Sequence, residues 1–110
     1  MIDWRRVEEL RDEIGAEDFI EVAEMFLQEV DEVMARLRGG PAPGDLAQQL
    51  HFLKGSALNL GFQDMAHLCA QGERLAAAGD GDQVDLRHLF ATYDQSRTEF
   101  DARFGGAAAA

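Results

Sequence analysis

Apolar residues recur every three or four positions along most of this chain, a spacing that predicts α-helices and not strands. Glycines, prolines and short polar turns interrupt the pattern and divide it into five segments. We predict helices over about residues 3–14, 17–38, 45–60, 63–78 and 84–103. Long helices joined by short loops predict an all-α fold, an antiparallel four-helix bundle with an additional short N-terminal helix.

Local signals support the helix ends. Asp3 can cap the first helix and Gly15 can stop it. The run of Gly and Pro over residues 39–44 ends the second helix, and Gly61 ends the third. The turn at residues 79–82 separates the fourth helix from the fifth.

The predicted third helix carries an unusual group of residues beside its apolar stripe. The stripe consists of Leu46, Leu50, Leu53, Ala57 and Leu60. His51, Lys54 and Gly55 lie at positions i, i+3 and i+4 and share the flank of this stripe, at or near the surface. A glycine inside a helix costs about 1 kcal/mol relative to alanine. Close approach by another molecule, or by a neighbouring helix, would explain Gly55.

This group suits the handling of a phosphoryl group. Neutral imidazole is a nucleophile that forms covalent intermediates, so His51 could carry a phosphoryl group. Lys54 would balance the added negative charge as a compact cation. Phosphoryl transfer depends mainly on positioning and charge stabilisation, which two closely docked proteins can supply.

The run over residues 51–61, HFLKGSALNLG, resembles the signature of the histidine-containing phosphotransfer (HPt) domain. That signature is His, two residues, Lys, Gly, then Ser or Ala, with a second Gly six residues after the first. The chain is especially similar to standalone phosphorelay intermediates. The similarity continues through Phe62, Gln63, Met65, Ala66, Leu68 and Cys69.

The resemblance implies a role for individual residues. His51 matches the phosphoacceptor, Lys54 the cation beside the phosphoryl group, and Gly55 the bare spot that lets the partner approach. Glu73 matches a position, twenty-two residues after the histidine, at which many members carry Gln or Glu that orients the imidazole. The expected partner contacts are Gly55, Ser56 and Leu58.

The resemblance also implies a function. The protein would carry a phosphoryl group between aspartates of response-regulator receiver domains, one of which could belong to a hybrid sensor histidine kinase. It would act as a carrier without ATP-dependent kinase activity. No cofactor or metal of its own is expected, because Mg²⁺ would belong to the receiver domain.

Three other functions stay open at this stage. A kinase dimerisation domain also presents a histidine on a bundle helix, but it normally has an acidic residue where this chain has Phe52. A metal site could use His51, His67 and His88 with carboxylates, although no Glu-x-x-His pair occurs. A helical adaptor could bind receiver domains after losing transfer activity.

Length, charge and cysteine content limit the number of domains, the class of partner and the cellular location. A chain of 110 residues predicts one domain, here over residues 1–104, followed by a flexible Gly/Ala tail over 105–110. The net charge of −11 argues against nucleic acid or an anionic membrane as a partner. The single cysteine, Cys69, falls among apolar positions and fits a reducing cytoplasm. With no apolar run of about twenty residues, we expect a cytoplasmic protein, and we expect a monomer.

Overall fold

The computed structural model describes residues 2–40 and 44–105, and these residues form five α-helices. The helices are α1 Trp4–Ile14, α2 Ala16–Arg38, α3 Leu46–Leu60, α4 Gln63–Ala77 and α5 Leu86–Phe100. A short 3-10 turn, Gly81–Gln83, precedes α5, and a π-helical turn, Asp101–Gly105, continues it. The prediction of an all-α bundle with an extra N-terminal helix is confirmed. The linker at 41–43 and residues 106–110 of the tail predicted at 105–110 lie outside the described residues, whereas Gly105 belongs to the π-helical turn.

The apolar stripes predicted from the sequence face one common core. On α3, Leu50, Leu53, Ala57 and Leu60 are buried, and Leu46 packs partly buried against them. Aromatic rings from several helices pack against one another in this core. Phe62 and Phe100 meet edge to face with ring centroids 5.8 Å apart, and Phe19 and Phe104 do so at 5.2 Å. Such pairs favour a fixed arrangement of the helices that carry them.

Polar contacts join α5 to α2 at the edge of this core. The Tyr93 hydroxyl donates to Asp31 at 2.5 Å, and the Arg97 guanidinium donates to the other oxygen of Asp31 at 3.0 Å. Arg97 also donates to Asp101. Burial and the Asp31 charge raise the pKa of the Tyr93 phenol well above its ordinary value, so the hydroxyl keeps its proton and remains a donor.

The turn between α3 and α4 depends on Gly61. Its φ of 76° is left-handed, which glycine adopts without steric cost. The N-terminal segment crosses this turn, where the Asp3 N–H donates to the Gly61 carbonyl at 2.7 Å. A Cβ at Gly61 would lie 2.6 Å from the Asp3 carbonyl oxygen. Gly61 therefore allows both the chain reversal and the close approach of the segment that leads into α1.

This turn gives a first testable prediction. Gly61→Ala should lower the free energy of unfolding by about 2 kcal/mol or more, because the left-handed backbone alone costs about 1–2 kcal/mol and the Asp3 carbonyl must also move. Gly55→Ala is the matched control, since a Cβ there would have no described atom within 4 Å. It should raise the free energy of unfolding by about 0.5–1 kcal/mol through helix propensity. Urea denaturation of both variants measures the difference, and equal stabilities would contradict this account of the two glycines.

Candidate functional site

Three of the residues singled out in the sequence meet between α3 and α4. His51 Nδ1 lies 2.7 Å from Glu73 Oε2, and Lys54 Nζ donates to Glu73 Oε1 at 2.6 Å. Each oxygen of the carboxylate therefore serves a different partner. The structure brings Glu73 to His51 across twenty-two residues of sequence, as the gapless match to the family pattern required.

The three side chains differ in their exposure. The His51 side chain is 69% exposed, whereas the Lys54 and Glu73 side chains are 29% and 24% exposed. The imidazole thus stands at the surface, and the pair of charges that holds it is largely covered. Charges that are partly shielded from water interact more strongly than fully solvated ones.

The charge state of Glu73 selects the tautomer of the neutral imidazole. The hydrogen bond from Lys54 lowers the pKa of the Glu73 carboxyl below its ordinary value; partial burial opposes this shift, and the His51 contact adds to it. Glu73 is therefore an ionised acceptor at neutral pH, so the neutral ring must place its proton on Nδ1 to donate to it. The other ring nitrogen, Nε2, then carries a free lone pair.

A glycine next to Glu73 permits the close packing of α4 on α3. Gly72 is buried, and a Cβ there would lie 3.0 Å from Leu50 Cδ1 and 3.1 Å from Val84 Cγ1. No role was predicted for Gly72 from the sequence. Its signal was a glycine inside an otherwise uninterrupted helical pattern, one residue before the site carboxylate.

The Cys69 side chain also lies in α4, one helical turn before Glu73. It is fully buried, as predicted for a core residue. Burial raises the pKa of its thiol to about 12, the Glu73 charge adds to the rise, and Lys54 opposes it. Cys69 is thus a neutral packing group at physiological pH and supplies no nucleophile to the site.

The surface beside His51 is bare and partly apolar. At Gly55, no atom of the described residues lies within 4 Å of the place where a Cβ would stand, so packing against a neighbouring described helix does not explain this glycine. Phe52 and Leu58, three residues before and after it, are 37% and 58% exposed. Ser56 differs from the expected contact surface because only 8% of it is exposed. It lies three residues after Leu53, within the buried stripe, and offers little surface to a partner.

The other two histidines lie apart from this site. His67 is exposed and contacts Gln71 within α4, and His88 is exposed near the start of α5. Over residues 2–40 and 44–105, no three side chains of His, Cys, Asp or Glu form a group that could hold a metal ion. The alternative metal site, which required His51, His67 and His88 to meet, is therefore not formed in this part of the chain.

Comparison with known families identifies the chain. The model of the Hpt domain matches residues 21–102, which include most of α2 and all of α3, α4 and α5. The protein therefore belongs to the Hpt domain family, whose members take part in phosphorelays as phosphotransfer domains. No match was found among curated proteins or solved structures.

A helix that spans a membrane must be both long and apolar. Within the described residues, none combines the length and the apolar character needed to cross a bilayer.

The Glu73 contacts predict a pH dependence of stability. The folded state holds the pKa of Glu73 below its ordinary value of 4.5, so ionised Glu73 stabilises the folded protein. This stabilisation is fully present above pH 4.5 and is lost as the pH falls through the lower folded pKa. The difference in free energy of unfolding between the parent and Glu73→Gln should therefore shrink as the pH falls below about 4.5. Urea denaturation across this pH range measures it.

The matched control for this experiment uses Lys54, the largest cause of the pKa shift. In a Lys54→Met background, the acid-dependent part of the Glu73→Gln effect should be smaller. An effect of the same size in both backgrounds would show that Lys54 is not the cause.

Proposed function

We propose that this protein is a phosphorelay intermediate that carries a phosphoryl group on His51 Nε2 between aspartates of receiver domains. Family membership supports the general role, and the 2.7 Å contact of Nδ1 with Glu73 carries the assignment of the reacting atom. That contact occupies one ring nitrogen and leaves the other for reaction. The exposure of the ring lets a second protein reach it.

The proposed reaction is a displacement at phosphorus. The Nε2 lone pair attacks the phosphorus of an aspartyl phosphate, and the bond from phosphorus to the aspartate oxygen breaks as the carboxylate leaves. The ring keeps its Nδ1 proton, which Glu73 accepts as a hydrogen bond. In the second half of the relay, an aspartate oxygen of another receiver attacks the same phosphorus and the bond to Nε2 breaks.

Lys54 would stabilise the phosphoryl charge during both steps. Its ammonium has three N–H donors, and one is used by Glu73. Two donors remain for phosphoryl oxygens. The Mg²⁺ that assists the reaction would belong to the receiver, and a carrier of this kind needs no ATP site.

The bare surface at Gly55 would be the docking spot for the receiver. In-line transfer requires the two proteins to approach closely and in a fixed orientation. Because Gly55 has no side chain and Phe52 and Leu58 are exposed on either side of it, this surface offers an unobstructed and partly apolar contact beside the reacting nitrogen. Burial of Phe52 and Leu58 in the complex would contribute to binding.

The central prediction concerns the phosphoacceptor. Incubation with a phosphorylated receiver domain should transfer a phosphoryl group that is stable in base and labile in acid, and His51→Gln should abolish this labelling. His67→Gln and His88→Gln are the controls and should be labelled like the parent, since both residues lie outside the site. Full labelling of the His51→Gln variant would refute the assignment. Labelling by ATP alone would instead indicate a kinase.

Another prediction concerns docking at Gly55. Gly55→Ala and Gly55→Gln should both raise the free energy of unfolding by about 0.5–1 kcal/mol, because each replaces a helical glycine in open space. Only the glutamine projects far enough to obstruct a receiver. It should slow transfer about tenfold or more, while the alanine variant stays close to the parent. Equal transfer rates for the parent and the glutamine variant would contradict docking at this position.

A further inference from the structure

The group that contacts His51 Nδ1 is the Glu73 carboxylate, and its negative charge would act on the ring after phosphorylation as well as before. We propose that Glu73 keeps the Nδ1 proton on the phosphorylated His51 ring, so that the ring remains a reactive phosphoryl donor at neutral and mildly alkaline pH. The inference deepens the proposed function and rests on it, since it concerns a phosphoryl group on Nε2 of the same histidine.

The Nδ1 proton decides how readily the phosphoryl group leaves. When Nε2 attacks phosphorus, the ring already has a proton on Nδ1, so the product is a phosphorylated imidazolium. An acceptor oxygen then attacks phosphorus, and the electrons of the breaking N–P bond return to Nε2. If Nδ1 is protonated, the leaving group is neutral imidazole; if it is not, the leaving group is an imidazolate anion, which leaves far less readily.

The geometry allows Glu73 to hold this proton throughout the cycle. One carbon separates the two ring nitrogens, so a phosphoryl group on Nε2 leaves the 2.7 Å contact between Nδ1 and Oε2 in place. An anion within hydrogen-bonding distance favours the positively charged form of the ring. Because only 24% of the Glu73 side chain is exposed, solvent weakens this attraction less than it would at a fully open position.

Lys54 acts in the opposite sense. Its ammonium contacts Glu73 Oε1 at 2.6 Å, so it neutralises part of the charge that stabilises the ring proton. A cation beside a second cation also disfavours it directly. The two residues that contact each other therefore have opposite effects on the phosphorylated ring, and this provides the test.

Other charged groups near the ring do not provide this contact. From α2, Glu29, Glu32 and Arg36 line the groove beside Phe52. Within the described ranges, neither α1 nor α2 contributes a hydrogen bond or ion pair to the His51 ring. From α4, the buried Cys69 thiol is neutral. Within the part of the chain that the structure describes, Glu73 is thus the charged group in hydrogen-bond contact with the ring, and Lys54 is the cation that contacts Glu73.

The experiment uses the full chain with His67→Gln and His88→Gln, which leaves His51 as its single histidine. Potassium phosphoramidate serves as the phosphoryl donor: Nε2 attacks phosphorus, the P–N bond of the reagent breaks and ammonia leaves. Nitrogen and phosphorus NMR then follow the Nδ1 proton of the phosphorylated ring against pH in the parent, Glu73→Gln and Lys54→Met. Spontaneous loss of phosphate to water is measured over the same pH range.

Glu73→Gln should lose the Nδ1 proton at a pH lower by about one unit, because the amide accepts a hydrogen bond without a negative charge. Lys54→Met should lose it at a higher pH than the parent. The pH at which phosphate loss slows should fall in Glu73→Gln in step with the NMR titration. A role for Glu73 in ring orientation alone would move neither profile.

Coincident titrations of the parent and Glu73→Gln would overturn the inference, as would shifts of both variants in the same direction. A His51 that phosphoramidate does not label would also overturn it, because Nε2 would then not be an available nucleophile. The test contains no receiver domain. A normal titration together with absent transfer to or from receivers would therefore refute the proposed function and leave the inference standing.

Discussion

The packing of α3 against α4 is the constraint on which the site depends. Gly61 reverses the chain between the two helices, and Gly72 lets the second lie close to Leu50 on the first. These two glycines set the register that places Glu73 opposite His51. A shift of one residue along α4 would rotate the carboxylate by about 100° around the helix axis and remove it from the ring.

The site combines two partly buried charged groups with one exposed ring. Lys54 and Glu73 form a charge pair that is about three-quarters covered, and this pair holds an imidazole that is mostly exposed. The arrangement lets the protein control the protonation of a ring that another protein must reach. A buried histidine would be better shielded but closed to a docked partner, and a free surface histidine would have no fixed tautomer.

The surface beside the histidine makes the folded protein less stable than it could be. Gly55 gives up helix propensity without any packing in return, and Phe52 and Leu58 leave apolar area in water. The buried stripe one step around the same helix makes up for this through Leu50, Leu53 and Leu60. One helix thus serves the core on one side and, in the function we propose, the receiver on the other.

The sequence by itself determined the helices, the core stripe of α3 and the exposed flank that carries His51, because helical periodicity ties each position to a face. It also indicated Glu73, although only through spacing within a family pattern. Tertiary structure alone decided that one Glu73 oxygen contacts His51 and the other Lys54, and that Gly72 packs against Leu50. It also placed Ser56 in the buried stripe and joined Asp31 to Tyr93 and Arg97. These contacts join different helices, and periodicity within one helix carries no information about the register or distance of its neighbour.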